Sequence, residues 1–106
     1  AIVSGNLVFI SGQIPLDPLT GLYNPSSAKE EADIALRHIG AILNEAGLTY
    51  ENIVKVTIFL TNMNDFSEVN EAYGKYFEHN PPARACVCVK SLPKNCKVEI
   101  EAMATL

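Results

Sequence analysis

The sequence predicts an α+β domain: a mixed β-sheet with two helices covering one of its faces. Three observations carry that prediction. Two stretches, 27–46 and 65–78, repeat apolar residues at helical spacing, and the remaining apolar segments alternate with period two. Their order is strand, strand, helix, strand, helix, strand, strand, which matches neither the strict βα alternation of a doubly wound sheet nor an all-β sandwich. At 106 residues there is room for one domain, 1–106, and little for a deep pocket walled by a single chain.

Ile2 and Val3, then Ser4-Gly5-Asn6, then Leu7 to Gln13 read as a tight hairpin around a Gly/Asn turn. Pro15 to Pro25 follows as a loop, so Ser11-Gly12-Gln13 lies where strand gives way to loop. Gly12 there either admits a ligand to the backbone or marks a bulge that bends the strand. Ser27 to Ala46 is the first helix, with Ser27 and Glu30 as a capping box and Gly47 as its stop. His38 stands beside its apolar stripe and, lacking partners at ligand spacing, reads as structural.

Ile53 to Thr61 is a strand with Val54, Val56, Ile58 and Leu60 on one face and Lys55, Thr57, Phe59 and Thr61 on the other. A right-handed crossover lays it parallel to the Leu7 to Gln13 strand. Asp65 and Glu68 repeat the capping-box pattern, and Phe66, Val69, Tyr73, Tyr76 and Phe77 stripe a second helix to about Glu78. Those aromatic residues read as core. Ala83 to Lys90 and Lys97 to Ala104, joined through Leu92 and Pro93, are expected to pair as an antiparallel hairpin. Arg84, Cys86, Cys88, Glu99, Glu101 and Met103 would then share one face, and cysteine and methionine among charges mark that face as covered by another subunit or a pocket wall.

Net charge is −4, and the eight Lys and Arg are scattered, so the electrostatic footprint of a nucleic-acid binder is missing. No apolar run reaches membrane-spanning length and no leader is visible, which predicts a soluble, cytoplasmic protein without membrane partners. Three cysteines fit reduced thiols better than a disulfide scaffold. No phosphate-binding Gly loop, HExxH, CxxC or GxSxG occurs, and two isolated histidines do not make a metal site. Cys86 has no His base placed for it by the sequence and reads as a lining residue. For Arg84 beside Glu99 and Glu101 two readings stand open: a cross-strand ion pair, or an arginine that grips a carboxylate while a glutamate handles water or a proton.

The segment PARACVCV followed by LPKNCKVEIEAMA resembles the C-terminal signature of the Rid family (reactive intermediate deaminase, also called YjgF), in its RidA branch. ISGQIPLDPLTG, NIVKVTIFL and NDFSEVNEAYGKYF agree with it in order over essentially the whole chain. The resemblance implies a chorismate-mutase-like fold and a homotrimer with pockets at its subunit interfaces. It also implies a cofactor-free 2-iminobutanoate/2-iminopropanoate deaminase that hydrolyses enamine and imine intermediates to 2-oxo acids and ammonia. Carried over by position, Arg84 holds the substrate carboxylate and Glu99 serves the attacking water as the catalytic pair. Cys86, Ser11 and Gly12 line the pocket, while Asn70 and Glu101 are structural. Members usually carry, before the first strand, a segment whose Tyr borders the pocket, and Ala1 stands after that point. Pro81 stands where a bulky residue commonly precedes Pro-Ala-Arg. Members have also been described as translation inhibitors or ribonucleases, and a trimer that binds small metabolites or acts as a chaperone without catalysis is the remaining alternative.

Overall fold

A computed structural model describes residues 1–106 as β1 (Ile2–Ser4), β2 (Leu7–Gln13), α1 (Ala28–Glu45), β3 (Ile53–Leu60), α2 (Phe66–Gly74), β4 (Ala83–Cys88) and β5 (Val98–Thr105). The five strands form one mixed sheet in the order β1-β2-β5-β3-β4. Both helices lie on one face of it. The core between the layers joins Ala32, Leu36 and Ile39 of α1 to Ile58 of β3 and Val98 and Ile100 of β5, all at most 1% exposed.

Local chemistry explains the first half of the chain closely. Gly5 takes φ +58° in the β1–β2 turn, a conformation that costs glycine nothing. The Ser27 hydroxyl accepts from the Glu30 amide at the start of α1, and beyond its end Gly47, at φ +75°, lets the Leu48 amide return to the Leu43 carbonyl. His38 is half-buried, with Nε2 2.7 Å from the Leu16 carbonyl, and so ties the loop to α1.

Four expectations are corrected. β4 and β5 do not form a hairpin: β3 stands between them, parallel to β4 and antiparallel to β5. The β3–α2–β4 segment is a crossover unit that sets its two strands side by side, and β5 then fills the slot between β3 and β2. β2 and β3 therefore run parallel, as expected, without touching. Second, the face of β4 is the reverse of the expected one. Arg84, Cys86 and Cys88 pair with Val56, Ile58 and Leu60 on the helix side, while Ala85 and Val87 share the helix-free side with Glu99 and Glu101.

Third, a register shift between Ile53 and Lys55 turns Ile53 inward and leaves Val54 42% exposed, although the alternation places Val54 with Val56. Fourth, α2 ends at Gly74 instead of near Glu78, and Asp65 makes no side-chain cap. Asn62 caps a preceding 3₁₀ turn, Met63–Asp65, and Glu68 accepts from the Lys29 amide of α1 at 3.2 Å. Phe77 still packs, 8% exposed, with its ring 4.6 Å from that of Tyr73.

One buried carboxylate fastens the loop to the sheet. Glu31 is 0% exposed and accepts from the Tyr23 hydroxyl at 2.7 Å, the Lys97 amide at 2.8 Å and the Ser26 amide at 3.3 Å, with Lys97 Nζ at 3.4 Å. Nearby Cys96 is 1% exposed, and its thiol is pushed up to about 11 by burial and then by the Glu31 charge, so it stays protonated at neutral pH. Removing the carboxylate orphans three donors, the Tyr23 hydroxyl and the Ser26 and Lys97 amides, while the Lys97 ammonium keeps the Ser26 carbonyl at 2.6 Å. Glu31→Ala is therefore expected to cost about 3 kcal/mol, read as a lowered urea midpoint with unchanged slope. A loss below 1 kcal/mol would show that water replaces the carboxylate without penalty.

Candidate functional site

The chemistry-bearing residues gather in two clusters, one on each face of the sheet. The first is built on edge strand β4. Arg84 points to the helix side, where Nη1 donates to Asn70 Oδ1 at 2.6 Å. Its guanidinium carbon sits 4.8 Å from the Tyr73 ring centroid and 5.6 Å from that of Phe66. Phe66, Asn70 and Tyr73 lie at i, i+4 and i+7 of α2, one helical face turned toward the arginine. Stacking on aromatic faces and one hydrogen bond restrict the guanidinium's orientation, each ring contact contributing about 0.5–1 kcal/mol at this exposed position. Burial pushes the Tyr73 phenol up, opposed by Arg84, so the ring is a neutral platform at neutral pH.

Arg84 is exposed, and the donors not facing Asn70 remain for an anionic ligand. Cys86 follows on the same face, half-buried against the core. Its thiol is pushed up by burial, with Arg84 opposing and Cys88 adding to the shift. A thiol raised in this way is a poor nucleophile at neutral pH, which fits its reading as a lining residue.

The second cluster is on the helix-free face, where β2 meets β5. Ile10 pairs with Ala102 but Gln13 with Ile100, so three steps on β2 oppose two on β5, and Ser11 and Gly12 occupy the bulge. Glu99 lies over that bulge: a Cβ added at Gly12 would collide with Glu99 Oε2. The bulge reading of Gly12 therefore holds, and the bulge brings bare backbone against the Glu99 carboxylate. Ser11 and Glu101 line an adjoining concavity of about 320 Å³ with Phe9, Lys55, Thr57 and Met103.

Gly12→Ala tests this contact. The obstructing atom ends a flexible side chain, so the fold is expected to lose no more than about 1 kcal/mol while the Glu99 carboxylate is displaced. Thermal unfolding near the wild-type midpoint, combined with loss of the Glu99-dependent activity, is the expected result; a collapse of stability would make Gly12 a packing residue only.

Arg84 and Glu99, expected as face neighbours, are not brought together within the chain. Arg84 is in register with Val56 and Glu99 with Phe59, and β3 separates their strands. Two strand spacings and three residues of rise put their backbones on the order of 14 Å apart, with side chains on opposite faces. Sequence reasoning also missed the Arg84 cradle. It assigned Asn70 a structural role and Tyr73 to the core alone, although the spacing of Phe66, Asn70 and Tyr73 was a signal for one shared face.

Comparison with known proteins supplies the context. The family model described as Endoribonuclease L-PSP matches residues 1–106. The chain is 46% identical, over its whole length and 84% of the relative's, to the RutC family protein y4sK of Sinorhizobium fredii. It is 45% identical to the 2-iminobutanoate/2-iminopropanoate deaminase of Rattus norvegicus, over 98% of this chain and 76% of that one. The solved structure of E. coli TdcF with bound serine superposes with a TM-score of 0.92 at 42% identity, over 99% of this chain and 84% of that one.

Proposed function

This chain belongs to the Endoribonuclease L-PSP family, the YjgF/RutC/Rid group with its chorismate-mutase-like fold, and from that premise we propose that it is a 2-iminobutanoate/2-iminopropanoate deaminase. The observation that carries the reading is the Arg84 cradle. A guanidinium fixed by Asn70, Phe66 and Tyr73, with free donors facing outward, is suited to a carboxylate held by two parallel hydrogen bonds. The relatives named as imine deaminases and the serine-bound neighbour support a small substrate carrying a carboxylate.

In this mechanism Arg84 fixes the substrate carboxylate and so positions the imine carbon for attack. Glu99 takes a proton from a water as its oxygen bonds to that carbon. Protonated Glu99 returns that proton to the imine nitrogen, giving the carbinolamine. Glu99 then relays the carbinolamine hydroxyl proton to the amine, the C–N bond breaks, ammonia leaves and the 2-oxo acid forms with Glu99 again a carboxylate. Ser11 and the Gly12 backbone border the reacting group beside Glu99, and Cys86 borders the carboxylate beside Arg84. No metal or cofactor enters any step.

Because Arg84 and Glu99 stand on opposite faces of one sheet, the site needs two chains. The proposed assembly is a homotrimer in which the helix-free face of each chain packs toward its neighbours, bringing one chain's Glu99 to another's Arg84. Phe9 and Val87, 38% and 41% exposed on that face, support such a cover, since a lone wet face would carry polar residues there.

The test is 2-oxobutanoate formation from the imine released by a threonine dehydratase, with semicarbazide competing for that imine. The wild-type chain is expected to restore 2-oxobutanoate at semicarbazide concentrations that suppress it without protein. A chain that binds 2-oxobutanoate yet leaves the imine to semicarbazide would be a binding protein on the same scaffold.

A further inference from the structure

Cys86 and Cys88 occupy alternate positions of β4 and point to the same side of the sheet, in register with Ile58 and Leu60. Cys88 is exposed and Cys86 half-buried, and both are free thiols. The only polar contact of Cys88 Sγ is a weak one, 3.9 Å from the Val89 carbonyl. Alternate residues of a strand stand about 6.6 Å apart with parallel Cβ directions. A disulfide needs Cβ atoms about 3.5–4.5 Å apart, so the pair cannot close on itself while β4 keeps its shape.

The same spacing suits a bridging ion. Two metal–sulfur bonds of about 2.3 Å span about 4.6 Å in a linear arrangement, which the two Sγ atoms reach by turning toward each other. No group of three or more His, Cys, Asp or Glu side chains is placed to hold a metal ion, so a four-coordinate divalent cation finds no ligand set. Two thiolates without further ligands favour a soft, low-coordinate monovalent ion. Arg84, two residues earlier on the same face, supplies a positive charge beside the resulting bis-thiolate anion.

We propose that Cys86 and Cys88 form a two-coordinate site for a soft monovalent cation, copper(I) in chemical class, on the edge strand beside Arg84. Binding forms two Cu–S bonds and releases one proton from each thiol to the solvent. Copper stays monovalent and neither sulfur is oxidised. The bound complex carries a net charge of about −1, the sum of one cation and two thiolates. The site shares Cys86 and Arg84 with the proposed substrate pocket, but its test involves no substrate, so its failure and that of the deaminase reading are read separately.

The experiment titrates the reduced full chain with copper(I) against the chelator bathocuproine disulfonate, whose colour reports the copper it keeps. The expected result is about one equivalent withheld per chain, lost on the order of 100-fold in affinity in Cys88→Ser and untouched in Cys96→Ser. X-ray absorption of the loaded protein is expected to show two sulfur scatterers. Wild-type affinity in Cys88→Ser, loss of binding in Cys96→Ser, or a chelator that keeps all the copper would each overturn the proposal. Circular dichroism establishes that the variants fold, and Cys88→Thr, β-branched and exposed, repeats the test if the serine variant does not.

Discussion

Arg84→Ala is expected to lower kcat/KM for 2-iminobutanoate by roughly 30- to 900-fold, which corresponds to about 2–4 kcal/mol for a charge-assisted fork that the neighbouring chain of the proposed trimer shields from water. The loss should fall on binding and on rate together, since an unheld imine is also a misplaced one. Arg84→Lys is not expected to rescue it. A lysine keeps the charge but loses the planar fork, the stacking on Tyr73 and Phe66, and the geometry of the Asn70 bond. Asn70→Ala separates positioning from charge: the guanidinium remains but swings, so KM should rise while the salt dependence of binding stays that of the wild type. Wild-type kinetics in Arg84→Ala would remove the carboxylate grip from the mechanism.

The second large effect concerns Glu99 and where its partner comes from. Glu99→Gln keeps the shape and loses the base, and a general base contributes about 10²–10⁴-fold. Neither this variant nor Arg84→Ala should retain much activity alone. Unfolded together in equal amounts and refolded, they are expected to recover about one quarter of wild-type activity. In a ring whose sites take Arg84 from one chain and Glu99 from the next, random assembly gives about a quarter of sites both intact residues. A site contained in one chain would recover nothing. The opposite placement of the two residues on the sheet is what makes recovery the expected outcome.

Much of the architecture was legible because local chemistry dictates it. The Ser27 cap and Gly47 stop set the limits of α1, and the alternation of Val98, Ile100, Ala102 and Ala104 identified the buried face of β5, where each is at most 3% exposed. The contacts of Gly12 were half-legible: a glycine at a strand end announced a bulge or a close approach, but only the register showed Glu99 above it. Asp65 misled, because the capping-box pattern recurs wherever short polar residues precede a helix, and here Asn62 and a 3₁₀ turn provide the start.

The deeper misreading was the terminal hairpin. Period-two alternation tells which residues of a strand share a face, but it carries no information on which strand lies alongside. In β4 the rule that the apolar face meets the core also inverts. α2 is short, and its end of the sheet is met by Asn70 and two aromatic rings that receive Arg84, while Ala85 and Val87 face the side without helices.

Capping, alternation and turn geometry depend on neighbours along the chain, so the elements, their limits to within a few residues, the layer they form and the residue types available for chemistry were all readable from the amino-acid order. That β3 parts β4 from β5, that Arg84 rests on α2, and that Glu99 lies across the sheet from it emerged only from the folded arrangement. Strand order and facing are settled by packing among segments distant in the chain, where many pairings satisfy the same local pattern and only the complete core selects one.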